Sequence, residues 1–214
     1  MQLTIRDAVR EDAPLIAWVE MSAARSGRPL GLWDLIVPGA DQPRLDLIAQ
    51  VVGSPHESFA HFSGFLVAEV DGVAVGAMSG YAVAVKTLDH FRHALAAVLS
   101  ENGWSPEHRK LVGSRIAPCL TCISETPDDR WVVEWVALLP EARGKGVASA
   151  LLSAILARGR ASGFDKAQIS VLIDNTPALR CYERAGFRIV DEKRHPDFEA
   201  MFGAPGVARM WMSL

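Results

Sequence analysis

Apolar positions recur along this chain with two periods, and their succession predicts most of its elements. "LTIRDAV" (3–9) alternates weakly and reads as a first strand. Leu15, Ile16 and Val19 then follow at helical spacing, with Asp12 as an N-cap candidate and Pro14 in the first turn. A helix is expected from about Ala13 to Ala24, ended by "SGRPLG". Residues 30–55 are less regular: "VPGADQP" reads as a loop and "RLDLIAQVV" has helical periodicity. "GFLVAEV" and "VAVGAMSGYAVAV" flank Asp71-Gly72, a dipeptide that marks a tight hairpin between two β-rich runs.

Leu88, Phe91, Leu95 and Leu99 share one face of a predicted amphipathic helix that "ENG" terminates. A polar, loop-like stretch follows to about Asp129. "RWVVEWVALL" is apolar on both faces except at Glu134, as expected of a central buried strand. "KGVASALLSAILARGRASG" is a helix ending near Gly163, and "KAQISVLI" is a strand. "NTPALRCYERAG" is a short helix with Asn175 as cap, Pro177 in its first turn and Gly186 at its end. "FRIVDEKR" and "ARMWMSL" are the closing strands. Without repeats, low-complexity tracts or a linker, residues 1–214 read as one domain.

Composition narrows the class. Half of the residues are hydrophobic, enough for a sizeable core, and a net charge of -3 with both signs interspersed argues against nucleic-acid binding. "MQLTIRDAVRED" lacks the apolar core of a signal peptide, and the run from Phe65 to Val85 is interrupted by charges and glycines, so no membrane span is expected. A cytoplasmic location is the default. Cys119, Cys122 and Cys181 do not make a disulfide framework. "CLTC" lacks a second metal-ligand pair and a thioredoxin-like setting, so its thiols read as small buried hydrophobes.

The chemistry concentrates in "LLPEARGKGVASALL" (138–152), where a strand becomes a helix through Arg143, Gly144, Lys145 and Gly146. The first N–H groups of a helix are unpaired donors at the positive end of its dipole. Gly144 and Gly146 carry no Cβ, and Arg143 and Lys145 add cationic charge. Such a turn suits a phosphate or diphosphate, or it is a tight turn with solvated cations. The P-loop spacing is absent. "GKGVAS" approaches a dinucleotide fingerprint, with Asp174 as a ribose ligand, but "PEAR" separates the strand from the first glycine and the preceding strands form a hairpin.

"RGKGVA" fits R-x-x-G-x-A through Arg143, Gly146 and Ala148, and "NTPALRCYERAGF" fits N-x-x-A-x-x-x-Y-x-x-x-G-F through Asn175, Ala178, Tyr182, Gly186 and Phe187. In this order the two segments resemble the signatures of the GNAT superfamily of acyl-CoA-dependent N-acetyltransferases. The likeness is detailed from about Trp131 to Leu214; upstream only the order of elements matches.

The resemblance implies an α/β (α+β) fold: a mixed, mostly antiparallel sheet of six to seven strands flanked by helices, with a helical insertion at about 86–129 before the fourth strand. It implies acetyl-CoA as co-substrate, no metal, and a small-molecule or peptide amine as acceptor; a homodimer is compatible with it. Main-chain N–H groups of Arg143, Gly144, Lys145, Gly146, Val147 and Ala148 would hold the CoA diphosphate. Val136 and Leu138 would pair with the pantetheine arm like an added strand, with Asn175 and Ala178 beside it. Tyr182 shares a helix face with Asn175 and Ala178 and would be the general acid; otherwise it is a core tyrosine beside Phe187. Glu134 is the candidate base, because charge inside a buried strand is costly without a purpose; otherwise it is a structural ion pair or an exposed strand end.

Other residues carry weaker signals. Cys181 precedes Tyr182 and reads as packing rather than as an acyl carrier. His90 and His93, beside Asp89, read as a solvated helix face rather than a metal site. Asp197 and Glu199, in an expected loop from Arg194 to Gly206, either select a cationic acceptor or simply solvate that loop. A non-catalytic acyl-CoA-binding domain and a nucleotide-dependent oxidoreductase are the rival readings.

Overall fold

The computed structural model describes residues 2–123 and 126–214; Met1, and Ser124 and Glu125 of the expected insertion, lie outside the described residues. One seven-stranded sheet carries the fold, in the order β1-β2-β3-β4-β5-β7-β6. Its strands are β1 (Leu3–Asp7), β2 (Phe65–Val70), β3 (Val73–Ala82), β4 (Trp131–Leu138), β5 (Lys166–Leu172), β6 (Arg188–Arg194) and β7 (Gly206–Ser213). Every neighbouring pair is antiparallel except β4 and β5. Asp71 (φ 51°) and Gly72 (φ 80°) join β2 to β3 with both turn residues left-handed, the geometry an Asp-Gly hairpin favours.

The helices α1 (Ala13–Arg25), α2 (Leu32–Ile36), α3 (Asp41–Val52) and α4 (Leu88–Glu101) build a core on one face of the sheet; α6 (Val147–Ala161) and α7 (Thr176–Arg184) cover the other. The strand period divides β2 between them. Phe65 and Val67 join the α1–α4 core, whereas Leu66 and Ala68 join the α6–α7 core. This is why β2 is apolar at successive positions.

Four local expectations are corrected. The polar stretch before Asp129 contains a helix, α5 (Pro106–Leu120), whose Ser105 hydroxyl caps the His108 amide at 3.3 Å. It buries only Val112 and Cys119, so it carries little apolar periodicity. The loop expected from Arg194 to Gly206 holds another helix, α8 (Pro196–Phe202), capped by His195 and closed by Gly203 at φ 67°. Asp12 precedes α1 without capping it, because its carboxylate instead accepts Arg6 and the Val9 amide. On α4, Leu88 is exposed, and Ala94 and Val98 join Phe91 and Leu99 in the core. Cys119 and Cys122 are free and buried with Phe198 and Phe202, consistent with thiols packed as small hydrophobes.

Candidate active site

The site begins where two strands part. β4 and β5 pair only from Trp131 to Val133 on β4, opposite Ala167 to Ile169. On its other side β4 carries an irregularity: Ser79 faces Glu134 and Ala77 faces Ala137, so Trp135 and Val136 together oppose Met78. Trp135 takes φ 47°, strained for an aromatic residue, and its ring packs into the α1–α4 core. The bulge turns β4 away from β5. The resulting cleft of about 750 Å³ is lined by Glu134, Val136, Leu138, Arg143, Ala148, Asn175, Ala178, Cys181 and Tyr182. These belong to β4, α6, α7 and the turn between β4 and α6. Small residues at the end of α1, Ser22 to Ala24, close the opposite wall.

Two glycines shape the turn after β4. Gly144 (φ 72°) and Gly146 (φ 79°) are left-handed, and a Cβ on either would point into open space. Among the described residues, the N–H groups of Gly144 through Ser149 have no hydrogen-bond acceptor; the first bond of α6 runs from Ala150 to Gly146. Val147 is buried and anchors the start of the helix, so only its backbone is available. Lys145 is exposed. Arg143 does not point freely: its Nε donates to the Leu138 carbonyl at 3.0 Å, bracing the turn against the strand it leaves.

Asn175 caps α7, accepting from the Ala178 amide at 3.2 Å, while its Nδ2 donates to the Ser26 hydroxyl at 2.7 Å. Ser26 ends α1 at φ 49°, so this contact ties α7 to the opposite wall. Tyr182 lies two turns further along α7, largely buried, with its ring edge-on to Phe187 at 6.1 Å. Its carbonyl accepts from Phe187 N at 3.0 Å, which fixes the end of the helix. Burial pushes the phenol above its ordinary value, so it stays protonated at neutral pH.

Glu134 is half-buried. Among the described residues it has no arginine ion-pair partner, and it sits within β4 rather than at its end. Oε2 accepts from the Tyr81 hydroxyl at 2.7 Å, and the Glu134 carbonyl accepts from the Ser79 hydroxyl at 3.0 Å. Burial raises the carboxyl, and the Tyr81 hydrogen bond partly offsets the shift. Behind it on α1, Glu20 is fully buried, and neither of its oxygens has a partner in hydrogen-bond geometry among the described residues. Burial first, and the charge of Glu134 second, push Glu20 well above the carboxylate range; the nearby Trp33 indole opposes this only in part.

Tyr81, Ser26 and Glu20 escape a reading of the sequence. Tyr81 faces Val132 in register, so it reaches Glu134 on the diagonal, on the regular side of the bulge. Glu20 breaks the apolar face of α1, which was the available signal. Asp174, the ribose-ligand candidate, is paired with Arg28. Asp197 and Glu199 are exposed on α8, and neither lines the cleft; Phe198 and Phe202 turn inward instead. Among the described residues no cluster of three or more His, Cys, Asp or Glu is placed to hold a metal, and no helix is long and apolar enough to cross a membrane.

Residues 32–187 match the family model described as "Acetyltransferase (GNAT) family". A mycothiol acetyltransferase from Corynebacterium aurimucosum is 44% identical over 57 residues, a match spanning 27% of this chain and 19% of that protein's length. A solved structure described as an acetyltransferase superposes with a TM-score of 0.72 at 22% identity, covering 98% of each chain. A Salmonella typhimurium structure solved with its cofactor acetyl-CoA superposes with a TM-score of 0.54 at 18% identity, covering 100% of this chain and 95% of that one. At these identities the structural likenesses establish the fold: a mostly antiparallel mixed sheet flanked by helices.

Proposed function

The chain belongs to the acetyltransferase (GNAT) family, and on that premise we propose that it moves an acetyl group from acetyl-CoA to a primary amine by direct attack in a ternary complex. The observation that carries this reading is the run of unpartnered amides from Gly144 to Ser149, on the same cleft as Glu134 and Tyr182. A tandem of bare N–H groups at a helix start fits a diphosphate, and the open space at Gly144 and Gly146 gives it room. Arg143, Lys145, Val147 and Ala148 complete that turn. The unpaired stretch of β4 around Val136 fits a peptide-like arm by strand addition. The Leu138 carbonyl is already held by Arg143, so at Leu138 the side chain is the contact. Asn175 and Ala178 border the arm from α7.

Acetyl-CoA supplies the acetyl group as an activated thioester. Glu134, its carboxyl raised by burial, accepts the proton that the ammonium form of the acceptor must lose. The amine nitrogen bonds to the acetyl carbon, the carbon–sulfur bond breaks, the Tyr182 hydroxyl gives its proton to the departing sulfur, and the second proton shed by the nitrogen restores the phenol. One sheet runs through the described chain, which supports reading residues 1–214 as a single functional unit with an insertion at about 86–129.

The test is calorimetry with acetyl-CoA and with NAD(P), followed by thiol release in the presence of a panel of amines. Micromolar acetyl-CoA binding with amine-dependent thiol release is the expected result. Binding without turnover of any amine would favour a non-catalytic acyl-CoA-binding domain, and preference for NAD(P) would overturn the reading.

A further inference from the structure

A second cavity of about 150 Å³ lies beside the cleft. It is walled by Leu30 and Leu32 near α2, by Cys119 on α5, and by Phe198 and Phe202 on α8. Cys119, Phe198 and Phe202 are each less than a tenth exposed and form its inner wall, whereas Leu30 and Ile123 are exposed at its rim. Ile123 and Leu172 line both spaces, and so does Ala24. The second cavity is therefore a side chamber of the cleft that holds Glu134 and Tyr182.

Arginines at its edge might suggest an anion site, but their charges are already met. Arg25 donates to both Asp34 oxygens and to both Asp41 oxygens. Arg28 donates to both oxygens of Asp174 at 2.6 Å. Among the described residues no carboxylate lines the chamber, and Asp197 and Glu199 are exposed on α8. With the rim neutralised and the walls aliphatic, aromatic and thiol, the chamber recognises apolar surface. Its volume gives room for a benzene-sized group, with the rim open at Leu30 and Ile123.

We infer that the chamber is an acceptor subsite, and that the acceptor is a primary amine carrying an aryl or branched-alkyl arm. This rests on the acetyl-transfer reading and specifies its substrate class. Ammonium and arm are divided between the two spaces: the nitrogen lies in the cleft by Glu134, and the arm enters past Ile123 and Leu172. Burying such an arm is worth about 10- to 100-fold in kcat/KM over an amine that lacks it.

The experiment compares 2-phenylethylamine and 3-methylbutylamine with ethylamine, and an N-terminal phenylalanine peptide with its glycine counterpart, all at saturating acetyl-CoA. The expected result is a preference of about 10- to 100-fold for the armed member of either series. The series that shows it identifies whether the arm comes on a free amine or on a peptide. Cys119→Phe should fill the chamber and abolish the preference while acetyl-CoA binding is kept. Leu30→Trp, at an exposed rim position, tests the same point if Cys119→Phe does not fold. Normal turnover with equal kcat/KM across both series would overturn the chamber assignment and leave acetyl transfer standing. If no amine turns over, calorimetry of 2-phenylethylamine against ethylamine with the CoA-saturated protein still reads the chamber. Equal affinity there overturns the assignment, and tighter binding of the armed amine supports it.

Discussion

The Tyr81 hydroxyl donates to Glu134 Oε2 over 2.7 Å, crossing diagonally from β3 to β4 beside the bulge at Trp135. A buried carboxyl prefers to be neutral, and a hydroxyl donated to its ionised form opposes that preference. Glu134 is thereby raised by burial but held back by one hydrogen bond.

Removing the proposed base while keeping its shape should expose its role. Glu134→Gln is expected to lower kcat/KM by about 10²–10⁴ with little change in acetyl-CoA affinity. Steady-state kinetics alongside calorimetry checks this; unchanged kcat/KM would take Glu134 out of the reaction.

Tyr81→Phe addresses the same carboxyl from the other side. The ionised form loses its donor, so the Glu134 pKa moves further upward. The base works only when ionised, so the acid limb of the kcat/KM profile should shift to higher pH than in the parent protein. A profile that does not move would separate Tyr81 from the ionisation of Glu134.

Tyr182→Phe should lower kcat by about 10²–10⁴ and leave acetyl-CoA binding largely intact. The phenol is raised above its ordinary value and stays protonated, so no alkaline limb from Tyr182 is expected in the working range. Single-turnover rates would show the loss in the chemical step. An unaltered rate would return Tyr182 to a packing role against Phe187.

Gly146 is left-handed, and an added side chain would project into the open space before the bare amides. Gly146→Val carries a backbone penalty of about 1–2 kcal/mol and obstructs the approach to the turn. A protein that still folds, but binds acetyl-CoA at least about tenfold more weakly, is expected from thermal denaturation and calorimetry. Native affinity would count against the turn as the diphosphate site.

Glu20 makes a prediction about stability. Its folded-state pKa lies above its unfolded value, so folding takes up a proton. Its contribution is fully present below the unfolded value of about 4.3 and is lost as pH rises toward the raised folded value. Glu20→Gln keeps the shape and removes the ionisation. Its melting temperature should exceed that of the parent protein at pH 7–8, and the difference should shrink toward pH 4. Parallel curves across that range would show that Glu20 is not held neutral.

Much of the fold was legible because it depends on local periodicity. The Asp71-Gly72 hairpin, the helix after the glycine turn and the cap of Asn175 on Ala178 each follow from residues close together in the chain. The failures also have local causes. α5 buries only Val112 and Cys119, too little to leave a helical stripe, and α8 is a seven-residue helix whose caps, His195 and Gly203, are spread across a segment rich in turn-forming residues.

By itself the sequence determined the glycine turn and the motif spacing that carries the family likeness, because spacing along one helix or one turn is set by backbone geometry; the mostly antiparallel mixed sheet was implied by that likeness. Only the tertiary structure decided how Glu134 is held. Its partner Tyr81 is far away in sequence, and their contact depends on how β3 and β4 pair. The chamber beside the cleft was likewise invisible, since α2, α5 and α8 meet there from three distant segments. Composition reports that apolar residues exist. Which of them enclose an empty space is settled by how the layers pack.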